Sequence, residues 1–144
     1  MAKTYQVDTR VRIVNKIMGL MVRSDRGPAH TYLLTVRGRK SGKLYTNPVT
    51  LVEEDGRRWL VAPYGEVSWV KNARVTGEVK LNRGKKVETA AIQEVPLDER
   101  APILKKYLAL EPFTQPYFDA RLDSPLEAFA AEADRHPVFL LENT

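Results

Sequence analysis

Apolar positions along this chain keep two rhythms, and the change between them comes near residue 30. Val7, Val11, Val14, Ile17, Met18 and Met21 recur at helical spacing with Arg10, Arg12 and Lys16 between them, which predicts an amphipathic helix within residues 1–28. Asp8 is its candidate cap. Packing on the body of the protein is the plain reading of that helix, and its mix of Arg and Met leaves peripheral membrane contact open as the alternative. From Tyr32 onward, short runs rich in β-branched and aromatic residues alternate with turn residues, the signature of strands. Tyr32–Arg37, Leu44–Glu53 and Arg57–Ala62 follow one another, the last two joined by Asp55-Gly56, a strong hairpin signal. Pro48 cannot donate to a ladder, so its run belongs at an edge or a bulge, with backbone groups near Asn47 and Val49 free to bond something else. Beyond Pro63-Tyr64-Gly65, Ser68 is the expected N-cap of a short helix, Trp69–Thr76, closed by Gly77. Glu78–Arg83 and Lys85–Val95 form a further hairpin around Asn82-Arg83-Gly84. Helical spacing then covers Leu97–Leu110 and, with Ser124 as cap and Pro125 in first position, Leu126–Ala133. Glu111–Pro116 is a proline-punctuated connection, and His136–Leu141 closes the chain as an apolar strand.

Consecutive hairpins without helical crossovers predict an antiparallel sheet, and about six short strands suggest a small barrel. The chain is therefore expected to be one α+β domain over residues 1–144, with flanking helices. No G-x-G-x-x-G follows a strand and no G-x-x-x-x-G-K-[ST] occurs, which removes the common dinucleotide and P-loop solutions.

Composition narrows the chemistry. There is no cysteine, so neither a disulfide framework nor a thiolate metal site is available. The two histidines, His30 and His136, sit far apart without clustered acids, and no metal is expected. No apolar stretch has the length of a membrane span and the start lacks a signal-peptide core, so a cytoplasmic protein is expected. Residues 1–110 hold 21 Lys and Arg against 11 Asp and Glu, whereas residues 111–144 hold 2 against 7. The basic main body points to an anionic partner. Nucleic acid is not expected, because aromatics are not interleaved with the basic residues and only Tyr45 lies close to the most basic loop.

That loop is the first candidate site. Arg37, Arg39, Lys40 and Lys43 cluster around Gly38, Ser41 and Gly42, and no Asp or Glu lies between Thr31 and Pro48. Glycines let a backbone turn tightly and approach a ligand, so the loop can clamp an anion; a solvated turn with lysines for solubility is the plainer alternative. Trp69, Asn72, Ala73 and Thr76 share one helix face, offering a flat apolar wall and an amide, or merely a core tryptophan and a surface asparagine. A third region pairs Asn47-Pro48 with Val61-Ala62-Pro63, where small residues would let a flat ring lie against backbone; an ordinary edge strand is the alternative. No Ser/His/Asp set and no facing carboxylate pair is evident, so any hard chemistry belongs to a bound cofactor.

The block LLTVRGRKSGKLYTNPVTLVEEDGRRWLVAP, followed by SWVKNARVTGEVKLNRG, resembles the deazaflavin-dependent nitroreductase family of actinobacteria. The match is good over residues 31–84, and G-R-K-S-G, then N-P, then W-x-x-N is more specific than any of its parts. The resemblance implies a split β-barrel oxidoreductase that uses coenzyme F-420, with FMN as the alternative cofactor. It implies that Arg39, Lys40 and Ser41, with Gly42 and Lys43 of the same loop, hold the cofactor's phosphate and acidic tail. Asn47, Pro48 and Ala62 would then lie beside the deazaflavin ring, and Ser68, Trp69 and Asn72 would pack against the ring and its ribityl chain. Tyr64 and Tyr117 are the candidates for orienting or protonating an electron-poor acceptor, a quinone, an enone or a nitroaromatic. The chain departs from the family pattern in its short Pro63–Val67 loop, in Tyr45 and Thr50 where arginine and tyrosine are common, and in Phe113, Tyr117 and Phe118 along the substrate wall. A non-catalytic carrier of a flavin, haem or fatty acid on the same fold is the alternative function. A basic module for nucleic acid or anionic membrane is a third. Both a monomer and a homodimer are compatible with such a barrel.

Overall fold

Asp55 and Gly56 take φ angles of 53° and 76°, the two left-handed conformations that a tight two-residue hairpin needs. They join β2 (Leu44–Glu54) to β3 (Arg57–Val61) in the computed structural model, which describes residues 30–143. The helix expected within residues 1–28 lies outside the described residues. With β1 (Thr31–Arg37), β4 (Glu78–Arg83), β5 (Lys86–Glu94) and β6 (Val138–Asn143), the strands close an antiparallel barrel in the order β1-β2-β3-β6-β5-β4. The expected α+β antiparallel barrel is what forms. Its closure depends on β6, which arrives late in the chain and pairs with both β3 and β5.

Side chains alternate between two apolar layers. Leu34, Leu51, Leu60, Leu81 and Phe139 fill the interior, where α1 (Ser68–Thr76) adds Val70 and Ala73. On the opposite face of β2, β3 and β6, Val52, Val61 and Val138 pack against Leu104 and Leu108 of α2 (Ala101–Leu110) and Phe129 of α3 (Leu126–Ala130). Each such leucine or phenylalanine stabilises the fold by about 2 kcal/mol through burial.

Several boundaries differ from the sequence reading for local reasons. Val67, not Ser68, holds the cap position of α1, and no side chain caps it; Gly77 ends the helix with φ 77° and an N–H bond of 2.7 Å to Ala73 O. The helix expected over Leu97–Leu110 divides into a 3-10 turn, Leu97–Glu99, and α2, because Pro102 in the first turn of α2 has no N–H to offer the Asp98 carbonyl; the Arg100 guanidinium at the junction is turned inward onto Val95 O and Ala133 O. Pro112–Tyr117 is 3-10 helical rather than an irregular connection. Pro125 holds the cap position of α3 while Ser124 Oγ instead accepts the Arg121 N–H at 2.8 Å, and α3 stops at Ala130 before a third 3-10 segment, Ala133–Arg135. The β4–β5 turn is Gly84-Lys85, since Arg83 pairs with Lys86.

Candidate functional site

The basic loop is a braced hairpin tip. Gly38 N–H bonds Lys43 O at 2.7 Å, Gly42 N–H bonds Gly38 O at 3.1 Å, and Lys43 N–H donates to Ser41 Oγ at 3.2 Å. A Cβ at Gly38 would stand 2.8 Å from the Tyr45 ring and 3.3 Å from Lys43 O, so any larger residue there must displace the tyrosine. Two of the four cations take part in the frame. Arg37 donates to Gly42 O at 2.8 Å, and Arg39 gives both its backbone N–H (3.1 Å) and its guanidinium (2.7 Å) to Asn72 Oδ1. Asn72 is only 4% exposed, which makes it the fastening of the loop to α1 rather than a surface residue. Lys40 and Lys43 are exposed and form no ion pair among the described residues.

The next region is the stretch of β2 beside this loop. Leu51 N–H bonds His30 O and Gly38 N–H bonds Lys43 O, so the alternation of an antiparallel ladder makes Asn47–Leu34 and Val49–Tyr32 hydrogen-bonded pairs. The backbones of Asn47 and Val49 are therefore engaged with β1, contrary to the expectation that they are free. Pro48 falls opposite Leu33 at a non-hydrogen-bonded position, so its missing N–H costs no ladder bond. On its far side β2 meets β3 only from Leu51, paired with Leu60, onward. The carbonyls of Thr46 and Pro48 and the Thr46 N–H consequently face this split rather than a neighbouring strand. Asn47 shares the interior-facing side of the sheet with its partner Leu34. Ala62 is buried in the interior cluster, with its N–H on Pro137 O at 2.8 Å. Ser68 is exposed at the start of α1, and the half-buried Trp69 ring lies 6.0 Å from that of Phe139.

Tyr64 and Tyr117 come together although 53 residues separate them: their rings meet edge to face at 4.7 Å and 75°. Tyr64 sits on the short Pro63–Val67 connection, where Gly65 has φ 93°. Behind it, burial, with smaller contributions from Tyr64 and Glu111, pushes the Tyr107 hydroxyl well above its ordinary pKa, so it stays protonated in neutral solution. Thr50 Oγ1 donates to Glu111 and so ties β2 to the end of α2. Of the three aromatics expected along the substrate wall, only Tyr117 faces Tyr64; Phe113 is 68% exposed, and Phe118 is buried, stacked on His136 at 4.1 Å.

The sequence reading missed a buried polar pair. His136 Nε2 lies 2.7 Å from Glu132 Oε1, and both residues are at most 2% exposed. The four-residue spacing was its one signal, obscured because His136 opens an apolar run and Glu132 falls in a stretch that reads as an ordinary helix end. Arg100, 6% exposed, was missed for the same reason: charged residues are read as surface until a partner is known.

These elements define a split β-barrel with a basic loop fastened to an indole-bearing helix and a pair of tyrosines in edge-to-face contact. A model of the F420H(2)-dependent quinone reductase family matches residues 6–125, and the chain belongs to that family. It is a coenzyme F-420-dependent oxidoreductase. Among solved structures, an F420-H2 dependent reductase (FDR-A) superposes with a TM-score of 0.55 at 27% identity, covering 79% of this chain and 95% of that one. A domain-swapped dimer superposes with a TM-score of 0.57 at 25% identity, covering 91% of this chain and 92% of the other. A protein of unknown function from Agrobacterium tumefaciens gives 0.59 at 16% identity, covering 99% of this chain and 59% of its own, which bears on the fold alone. No curated protein matches the chain at a significant level. The donor set fits the cofactor: exposed ammonium groups suit a phosphate and a carboxylate tail, and the glycine at position 38 permits a tip tight enough to bring them together.

Proposed function

We propose that the loop from Arg39 to Lys43 holds the phosphate and acidic tail of coenzyme F-420 and that Tyr64 and Tyr117 receive a flat, electron-poor acceptor. The observation that carries this reading is the pair of hydrogen bonds from Arg39 to Asn72 Oδ1, which sets the basic loop against the helix bearing Trp69. Lys40 and Lys43 supply charge to the tail, with Ser41 and the Gly42 backbone at the tip. Asn47, Pro48 and Ala62 line the ring side, where polar backbone of Thr46 and Pro48 can meet the ring's carbonyl and amide edge. Ser68 and Trp69 flank the ribityl chain and ring. The chemistry the bound cofactor supplies is hydride donation to the acceptor. The tyrosines, in edge-to-face contact with each other, orient the acceptor against the surface they form together, and a phenol or a water beside them provides the proton. An apolar opening with one or two phenolic donors suits quinones, enones and nitroaromatics alike. The domain-swapped relative supports a homodimer. No helix among the described residues is long and apolar enough to cross a membrane.

Parallel titrations of intrinsic tryptophan fluorescence with F-420 and FMN test the cofactor assignment. F-420 should bind more tightly, because one phosphate dianion does not use the charge available, and equal or tighter FMN binding would contradict it. Reduced F-420 should then be consumed when menadione is added.

Lys40→Ala separates binding from chemistry. Loss of one charge-assisted contact, about 1.5 kcal/mol, should raise the cofactor Kd roughly tenfold while kcat at saturating cofactor stays within about twofold. A fall in kcat with unchanged Kd would remove Lys40 from the tail site.

A further inference from the structure

Glu132 and His136 form a buried chain of hydrogen bonds whose ends are backbone groups close in sequence to Tyr64 and Tyr117. His136 Nδ1 lies 2.9 Å from Pro63 O, the carbonyl immediately before Tyr64. Glu132 Oε2 accepts the N–H groups of Asp119 (3.0 Å) and Ala120 (2.7 Å), two and three residues beyond Tyr117, and Oε1 accepts the Asp119 N–H as well at 3.1 Å. The Phe118 ring stacks on His136 at 4.1 Å with an interplanar angle of 21°. Gln115 completes the second arm by donating to Ala120 O at 2.8 Å. The first arm is held as well by the Ala62 N–H on Pro137 O, next to His136.

Donor counting settles the outer end of the ring. A carbonyl only accepts, so His136 Nδ1 carries a proton and donates it to Pro63 O. At the inner end Nε2 and Glu132 Oε1 share one proton across 2.7 Å, while Oε2 takes the Asp119 and Ala120 N–H groups. Every inward polar atom of the pair is thereby partnered. A pair of this kind is weak evidence of net stability but strongly constrains geometry, because each partner has a single arrangement that satisfies it.

We propose that Glu132 and His136 are positioning residues for the acceptor site, fixing Tyr64 through the Pro63 carbonyl and Tyr117 through the Asp119 and Ala120 amides. The proposal rests on Tyr64 and Tyr117 being acceptor contacts, and deepens that reading by naming what holds their rings edge to face. The pair touches neither cofactor nor acceptor, so its effect is carried in acceptor KM rather than in cofactor affinity.

Two amide replacements divide the arms. His136→Asn retains a donor in the place of Nδ1 and keeps the Pro63 bond; His136→Gln retains one in the place of Nε2 and releases Pro63. With menadione at saturating reduced F-420, His136→Gln should raise acceptor KM about fivefold or more, His136→Asn should stay within about twofold, and the F-420 Kd of both should match wild type. Tyr64→Ala should raise KM by itself, and adding His136→Gln to it should give no further increase, since the two act through one contact. Independent increases in the double variant, or a wild-type KM in a cooperatively melting His136→Gln, would overturn the proposal. If Tyr64→Ala and Tyr117→Ala both leave KM unmoved, the acceptor reading fails first and takes the proposal with it. Nitrogen NMR on the unaltered protein needs no variant to fold: His136 Nδ1 should be protonated, and a bare Nδ1 would break the arm to Pro63.

Discussion

Asn72→Ala is expected to weaken F-420 binding by roughly thirtyfold. The Asn72 carbonyl oxygen takes two donors from Arg39, one from the backbone and one from the guanidinium, and it does so from a site 4% exposed. Without it the tip from Arg39 to Lys43 keeps only its internal bonds, and the cofactor must order the loop as it binds. Re-fixing one or two residues of backbone costs about 2 kcal/mol, which is the thirtyfold in Kd. Stability should fall less, about 1 kcal/mol, because both Arg39 donors can turn to water once released. Asn72→Asp separates anchoring from charge: the carboxylate still accepts both donors, yet sets a negative charge beside the anion site. It should therefore bind F-420 better than Asn72→Ala and worse than wild type. Fluorescence titration of the three proteins decides the matter, and a Kd for Asn72→Ala within about threefold of wild type would sink the loop-fastening role.

Local chemistry made much of the barrel legible. Asp55-Gly56 announced its hairpin because few other residue pairs tolerate two successive positive φ angles, and Gly77 closed α1 for the same reason. Pro48 announced an interrupted edge, and the structure places it where β2 has a partner on one side only. What the sequence could not disclose was what stands opposite each face. Helical spacing put Asn72 beside Trp69, but only barrel closure brings Arg39, 33 residues earlier, against its amide. The register of β2 likewise decides that Thr46 and Pro48, rather than Asn47 and Val49, present polar backbone to the split. Ser68 and Ser124 looked like caps by residue type, whereas cap geometry depends on a backbone angle that composition does not report.

The basic loop divides its labour along the same lines. Arginine, with five donors in a fixed fork, can brace the hairpin with one nitrogen and still offer others; lysine, a compact charge on a flexible stem, cannot brace but can follow a tail of variable length. Arg37 and Arg39 bond within the frame, and Lys40 and Lys43 stand clear of it. The count of cations alone, which the sequence offered, did not distinguish the two duties.

Arg100→Leu is expected to cost about 3 kcal/mol of stability, on the order of 10 °C in Tm for a chain of this size. The guanidinium is 6% exposed and donates to Val95 O at 2.8 Å, Ala133 O at 3.0 Å and Glu94 Oε2 at 3.0 Å. Leucine fills the space but leaves two carbonyls and a carboxylate oxygen short of a donor. Glu94 is also held by Arg74 of α1, at 2.9 and 2.8 Å, so the same carboxylate links α1 to the start of α2. The hydrogen bonds from Arg74, outweighing desolvation, hold the Glu94 carboxyl below its ordinary range, and Arg100 adds to this. A carboxyl whose folded value lies below its unfolded one contributes stability at neutral pH, and that contribution is lost as pH falls through the ordinary carboxylate range towards the folded value. The wild-type protein should therefore lose Tm on acidification with a slope that Glu94→Gln makes shallower, the variant being less stable at neutral pH and converging with wild type in acid. Thermal melts of wild type, Arg100→Leu and Glu94→Gln across that range test both statements; parallel curves would show that Glu94 takes no part in the acid response, and an Arg100→Leu melt within about 2 °C of wild type would show that the buried guanidinium is dispensable.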